Sequence, residues 1–264
     1  MVLIMSSVLP SVGLASDDSE KLALTLMHSS QSDQVVQFAV SELRHYLVRV
    51  FPVTITIQVA DTLRPYELHL HIGDLKESAV QPLEWSKRLR PIKPCHRVVP
   101  GVDAFLWRTG NGGLSLAGTG GRSLLYGVYD VLEKAADCGF CTLNPEDEVV
   151  PRRPAANLRV WLDGRKESFE QAAFSFRGRW YTNEGAGEVR NEKVSIERLR
   201  REVDWFAKSR DNVFILDNWS YTRHEDIWTE IRRQVFPELV RRGIIVDEGL
   251  AAWEVEFKKL DDPR

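Results

Sequence analysis

Apolar positions recur at helical spacing in DQVVQFAVSELRHYLVRV, residues 33–50, where Val35, Ala39, Leu43, Tyr46 and Val50 share one face and Glu42, Arg44 and Arg49 take others. This predicts an amphipathic helix. After Pro52 the period changes from 3.6 to 2: Ile55, Ile57 and Val59 alternate with Thr54, Thr56 and Gln58, and Leu68, Leu70 and Ile72 alternate with Glu67, His69 and His71. Two half-buried strands are expected, over Thr54 to Val59 and Tyr66 to Ile72. Residues 74–100 are rich in proline and charge and show no clear period. Beyond them, Ala104 to Arg108 and Gly113 to Ala117 flank Asn111-Gly112, a dipeptide in which both residues accept positive φ, so a tight hairpin is predicted. A helix from Ser123 to about Ala136 follows.

The second half has a different grammar. Residues 151–157, PRRPAAN, read as a linker. A short apolar strand is expected at Ala173 to Phe176, then a helix over Ser195 to Ser209 marked by Ile196, Leu199, Val203, Phe206 and Ala207. A strand at Asn212 to Asp217 comes next. Ile227, Ile231, Val235 and Leu239 then mark a helix ending at Gly243, with a kink or restart at Pro237, and Ile244 to Val246 is a third strand. Strands that are apolar along their length, separated by helices, predict a parallel βαβαβ unit. Periodicity leaves open whether that unit belongs to a doubly wound sheet or opens a (β/α)8 barrel. The domains expected are therefore 1–20 as a possible signal or arm, 21–155 as an α+β unit, and 156–264 as the βαβαβ unit.

Composition narrows the function classes. The 264 residues are 43% hydrophobic and 28% charged, which suits a globular chain with a sizeable core. Lys plus Arg total 35 against 38 Asp plus Glu, a net charge of −3 that gives no reason to expect nucleic acid or an anionic membrane as partner. Residues 1–15, MVLIMSSVLPSVGLA, end in small residues as a signal-peptidase site does but lack a basic start, so they read either as a clipped secretion signal or as an apolar arm or strand. The site of action is accordingly periplasmic or secreted on the first reading and cytoplasmic on the second. No later run reaches the ~20 apolar residues that cross a bilayer.

Several stretches together resemble the accessory domain and barrel start of bacterial glycoside hydrolases similar to α-glucuronidases and family 20 β-hexosaminidases. They are AVSELRHYL at 39–47, LSLAGTGGRSLLYGVYDVLEKAADCGF at 114–140, TLNPEDEVVP at 142–151, FSFRGRW at 174–180 and VDWFAKSRDNVFILDNWSYTR at 203–223. The resemblance implies an N-terminal α+β domain like hexosaminidase domain 2, followed by a (β/α)8 barrel that carries the chemistry. In such barrels the active site lies at the C-terminal ends of the strands. The ends expected here bring forward Arg177, then Asp217, Asn218, Trp219 and Tyr221, then Asp247 and Glu248.

Arg177 resembles the arginine that bonds sugar hydroxyls in hexosaminidases, and its guanidinium fork also suits a structural pairing with an acid between domains. Asp217, Asn218, Trp219 and Tyr221 combine polar forks with flat apolar faces, as a sugar requires. A pair of carboxyls about 5–5.5 or 6.5–9.5 Å apart defines glycosidase catalysis. Asp247 and Glu248 do not supply it, because adjacent strand residues point to opposite faces. Asp247 is read as a substrate contact, and no catalytic residue is assigned, since in the resembling families the acid and base sit on later strands.

Other motifs in the sequence compete with this reading. Cys138-Gly-Phe-Cys141 follows a helix rather than preceding one, the wrong pole for a redox thiolate, and is read as small buried thiols. Zinc would need more ligands than Cys95-His96 supplies. Glu67, His69 and His71 have metal-compatible spacing but occupy what reads as the solvated face of an alternating strand. The glycines at 110–113 and 118–121 match neither dinucleotide nor phosphate-loop spacing and read as turns. No metal and no cofactor are expected.

Length sets the final expectation. Ala173 to Arg264 is 92 residues, whereas a closed barrel takes about 250. Three strands of eight are expected, so the barrel is incomplete and the missing strands come from a longer chain or from another chain. The chain is then the N-terminal portion of a glycoside hydrolase acting on carbohydrate and inactive alone. The alternatives are a noncatalytic carbohydrate-binding or scaffolding module, and a doubly wound protein that binds a nucleotide.

Overall fold

A computed structural model describes residues 21–73, 86–90, 102–174, 176–181, 196–216 and 225–247. The chain opens with β1 (Leu22–Ser29) and α1 (Gln34–Val50), then β2 (Val53–Ala60) and β3 (Glu67–Ile72). The Asp33 carboxylate starts α1 by accepting from the backbone amides of Val35 and Val36, each at 2.9 Å. Next come β4 (Ala104–Gly110), β5 (Gly113–Gly118) and α2 (Gly121–Ala136). Asn111 and Gly112 take φ of 53° and 73°, the left-handed pair that a two-residue hairpin between β4 and β5 requires.

Three features of the first half differ from the sequence expectation. Residues 22–29 form a strand that the pattern did not mark: β1 lies between β2 and β3 and is buried on both faces over most of its length, so its apolar positions do not alternate. The stretch read as linker instead starts α3 (Ala155–Asp163), which buries Leu158, Trp161 and Leu162 at helical spacing. It leads into β6 (Glu167–Gln171), which pairs antiparallel with β4. β6 therefore belongs to the first sheet. The pattern did not mark it because Glu-Ser-Phe-Glu-Gln is a half-buried edge strand with one large apolar residue, too little for a period to register.

The sheet runs in the order β2-β1-β3-β5-β4-β6. One face carries Leu24, Leu26, Leu68, Leu70, Leu114, Leu116, Phe105 and Trp107 against Val36, Leu43 and Leu47 of α1 and Leu124, Leu125 and Val128 of α2, all buried. Gly127 sets how closely α2 approaches: a Cβ there would lie 2.6 Å from the Leu116 side chain.

The second sheet contains β7 (Gly178–Tyr181), β8 (Val213–Leu216) and β9 (Ile245–Asp247), parallel and in sequential order. The crossovers carry α4 (Ile196–Lys208) and the pair α5 (Glu225–Gln234) and α6 (Phe236–Arg241). The break between α5 and α6 falls just before Pro237, where a helix restart was expected. Leu199, Val203, Phe206 and Phe214 join the same buried cluster as α1 and α2, so one core runs through both sheets. The strand expected at Ala173 to Phe176 is displaced. It starts at Gly178, and the apolar run before it is the passage between the sheets, where Phe174 is 70% exposed.

Candidate functional site

That displacement moves Arg177 to the opposite pole from the one expected. It immediately precedes β7, at the N-terminal end of the parallel strands, rather than following a strand at the C-terminal end. There it joins a network centred on Asp103, which is buried in the turn before β4. Asp103 Oδ2 accepts from Arg177 Nη2 at 2.8 Å and from Asn212 Nδ2 at 3.1 Å. Its Oδ1 accepts from Arg122 Nη2 at 3.0 Å and from Ser123 Oγ at 3.2 Å, and Arg122 Nε reaches both oxygens at 3.1 Å.

Backbone geometry explains why this point is so heavily bonded. The Arg177 carbonyl accepts from the amides of Asn212 and Val213 at 2.7 and 3.1 Å, and the Asn212 side-chain carbonyl accepts from the Arg177 amide at 2.7 Å. The Asn212 backbone carbonyl accepts from Ile245 at 2.9 Å. Asn212 thus ties together the starts of β7, β8 and β9, while Asp103 ties Asn212 to the first sheet. Arg122 adds a bond to the Gly243 carbonyl at 2.8 Å, just before β9.

Beside the network lies a cavity of about 190 Å³ lined by Asp103, Phe105, Tyr126, Glu170, Arg177 and Arg210, among others. Its charged walls engage one another. Arg177 also donates from Nε and Nη1 to the carbonyls of Arg210 and Phe174, and its guanidinium stands 5.6 Å above the Tyr126 ring. Burial first, then the Asp103 charge, pushes the Tyr126 phenol well above its ordinary range, and its hydroxyl donates to the Asp211 carbonyl at 2.8 Å. Arg210 bonds Glu170, Asp130 and Glu133 at 3.0, 3.1 and 2.8 Å. Asp130 in turn accepts from the Trp107 indole at 2.6 Å and from Lys134 at 2.9 Å. A carboxylate with every lone pair engaged, as at Asp103, is built to position backbone rather than to move protons.

A second buried polar cluster joins α1 to α4 and α6. Lys208 donates to Glu148 and Asp204, each at 2.5 Å, and Arg242 donates to Asp204 and Glu238 at 2.7 and 2.6 Å. Burial works against the Lys208 ammonium, but the Asp204 charge, Tyr46 and the hydrogen bonds to Asp204 and Glu148 together outweigh it and lift its pKa. The Glu42 carboxyl is raised by burial and by the Asp204 charge, and it accepts from the Tyr129 hydroxyl at 2.9 Å.

Of the other residues expected at the site, Asp217, Asn218, Trp219 and Tyr221 lie outside the described residues. The chain reaches them directly from Leu216, the last residue of β8. Asp247 is the last residue of β9, at the same pole of the sheet. Sequence reasoning missed Asp103, Arg122, Asn212 and Arg210. Arg122 had a signal, as it follows Gly120-Gly121 at the start of α2, but a lone Asp in a turn and an Asn before a strand have none.

The face read as solvated on β3 is not: Glu67 and His69 are buried, because β3 sits between β1 and β5 and its second face is flanked in register by Met27 and Ser115. Burial pushes the His69 imidazole down to about 4, and its Nδ1 lies 2.8 Å from the Ser115 hydroxyl. Among the described residues no group of three or more His, Cys, Asp or Glu is placed to hold a metal ion. Cys138 is buried and Cys141 exposed, and burial pushes the Cys138 thiol up to about 12, away from a reactive thiolate. No helix among the described residues is long and apolar enough to cross a membrane.

No family model matches the sequence, and no curated protein matches it. Among solved structures, the chain is similar to a family GH115 4-O-methyl-α-glucuronidase with specificity for decorated arabinogalactans, at 16% identity and a TM-score of 0.40. The similarity covers 74% of this chain and 24% of that one, so the chain spans about a quarter of that enzyme's length.

Proposed function

We propose that the chain is the N-terminal portion of a glycoside hydrolase: an accessory α+β unit, like hexosaminidase domain 2, docked on the opening βαβαβ of a (β/α)8 barrel that acts on carbohydrate. The observation that carries this reading is the way the two sheets are joined. Parallel strands in sequential order with helical crossovers are how such a barrel begins. The Asp103 network fastens the accessory unit to the N-terminal pole of those strands. The C-terminal pole, where barrels of this kind do chemistry, is left to the residues following β7, β8 and β9. Asp217, Asn218, Trp219, Tyr221 and Asp247 are the proposed sugar contacts. Arg177, held by Asp103 at the other pole, is assigned to positioning the strands. The catalytic acid and base are proposed to lie on later strands, outside this chain.

The test is to incubate the chain with 4-nitrophenyl β-hexosaminides and α-glucuronides, and to titrate it with glucuronic acid and N-acetylglucosamine by calorimetry. Sugar binding that weakens in Trp219→Ala, without turnover, is the expected result. Turnover at enzyme-like rates overturns the assignment of acid and base to residues outside the chain. Absence of any sugar binding overturns the carbohydrate reading.

A further inference from the structure

The two edges of the six-stranded sheet are treated very differently. Edge strand β6 is guarded. It carries Glu167 and Glu170, Arg88 and Arg108 pair with Glu167 at 2.5 and 2.6 Å, and Gln171 exchanges hydrogen bonds with the Arg90 backbone at 2.8 and 2.7 Å. Edge strand β2, Val-Thr-Ile-Thr-Ile-Gln-Val-Ala, has no charge, no proline and no bulge over eight residues in continuous parallel register with β1. Such an edge is the template on which another strand adds.

The direction of its polar groups is fixed by two bonds. The Leu22 amide reaches the Pro52 carbonyl and the Ser30 amide reaches the Ala60 carbonyl, each at 3.2 Å. Residues 52, 54, 56, 58 and 60 therefore turn their backbone groups toward β1. Val53, Ile55, Ile57 and Val59 turn theirs to the open edge; the Val53 amide is taken by the Phe51 carbonyl at 2.9 Å, and the Val53 carbonyl and both backbone groups of Ile55, Ile57 and Val59 have no backbone partner among the described residues. The side chains agree with an open edge: Val59 is 63% exposed and Ile57 38% exposed.

We propose that this edge is an interface for a second copy of the chain, β2 pairing antiparallel with β2 about a two-fold axis through Thr56. The occupant follows from the sequence of the strand. In this register Ile55 faces Ile57 of the second copy and Val53 faces Val59, so Ile55 and Ile57 meet as fully hydrogen-bonded pairs and the Val59 amide meets the free Val53 carbonyl. Their side chains are apolar on one face of the joined sheet. On the other face Thr56 meets Thr56 and Thr54 meets Gln58, polar with polar and uncharged throughout. An isologous contact needs one patch that complements itself, and β2 does so at every position from 53 to 59. Hydrogen bonding along one edge buries less area than a standard interface, so association is weak and concentration dependent.

The experiment uses the full chain. Light scattering across a dilution series should show mass rising toward twice 30.2 kDa. Val59→Lys, which sets a charge at an exposed position opposite Val53 of the second copy, should hold the chain at monomer mass with an unchanged circular dichroism spectrum and melting temperature. Thr56→Cys should yield a covalent dimer under mild oxidation, and peptide mass mapping should find residue 56 linked to residue 56, since directly opposed residues of a non-hydrogen-bonded pair are close enough for a disulfide. A monomer at every concentration overturns the proposal. So does a dimer that Val59→Lys leaves intact, or one in which position 56 never links to its own copy.

Discussion

Arg177 Nη2 donates to Asp103 Oδ2 at 2.8 Å, joining the residue before the first parallel strand to the turn before β4, 74 positions away in sequence. Both are largely buried, at 19% and 7% side-chain exposure. Removing the carboxylate strands Arg122 and Arg177 together, so Asp103→Ala is expected to cost about 3–5 kcal/mol, the range for breaking a buried ion pair. Arg177→Ala is expected to cost less, since Asp103 retains Arg122, Ser123 and Asn212. Urea unfolding of both single variants and the double variant measures the coupling. Additive losses would show that the pair does not act as a unit.

Lys208 carries the second junction. It holds Glu148 from the loop after α2 and Asp204 from its own helix, each at 2.5 Å, while Tyr46 donates to the other Glu148 oxygen at 2.8 Å. Lys208→Ala leaves Glu148 buried without its cation and Asp204 with Arg242 alone, and a loss of about 3–5 kcal/mol is expected. Lys208→Met keeps the stem that packs beside Tyr46 and Phe140 and should lose less. Equal losses for the two variants would place the whole effect in the charge.

The close approach of α2 to the sheet gives a third expectation. A Cβ on Gly127 would stand 2.6 Å from Leu116 Cδ1 and 3.2 Å from the Phe105 ring. Alanine raises intrinsic helix stability by about 0.8–1.0 kcal/mol relative to glycine, but overpacking in a core costs about 1–3 kcal/mol. Gly127→Ala should therefore be destabilising on balance, seen as a lowered melting temperature. A stabilised variant would mean that Leu116 yields by a change of rotamer.

Legibility in the sequence followed how each element is buried. Helix α1 was readable because one face meets the core and the other meets water, and the β4–β5 hairpin because Asn111-Gly112 has a turn chemistry of its own. Strand β1 was not readable: buried on both faces, it has no alternation to detect. The same lack of a period put the strand before Arg177 rather than after it, and with it the arginine at the wrong pole. Ala173 and Phe174 look like strand residues but are exposed in the passage between the sheets, while Gly178, which starts the true strand, is there because a Cβ would meet the Val213 carbonyl at 2.6 Å. Asp103 was invisible for a different reason. Its importance comes from four partners spread from residue 122 to residue 212, a long-range convergence that no local window contains.

His69 offers a test by pH, because its surroundings overturn the alternating pattern that seemed to expose it. Burial lowers its folded-state pKa from 6.5 to about 4. The unfolded state therefore takes up the proton first as the pH falls. The contribution to stability is fully present above pH 6.5, shrinks as the pH drops through the interval to about 4, and is level below that. A shift of this size corresponds to a loss of about 3 kcal/mol across the interval. His69→Gln, uncharged at every pH and able to keep a hydrogen bond to Ser115, should lose less stability between pH 6.5 and 4 than the parent chain does. Parallel urea-unfolding curves for the two proteins over that interval, with no difference in slope, would show that His69 takes its proton as readily folded as unfolded.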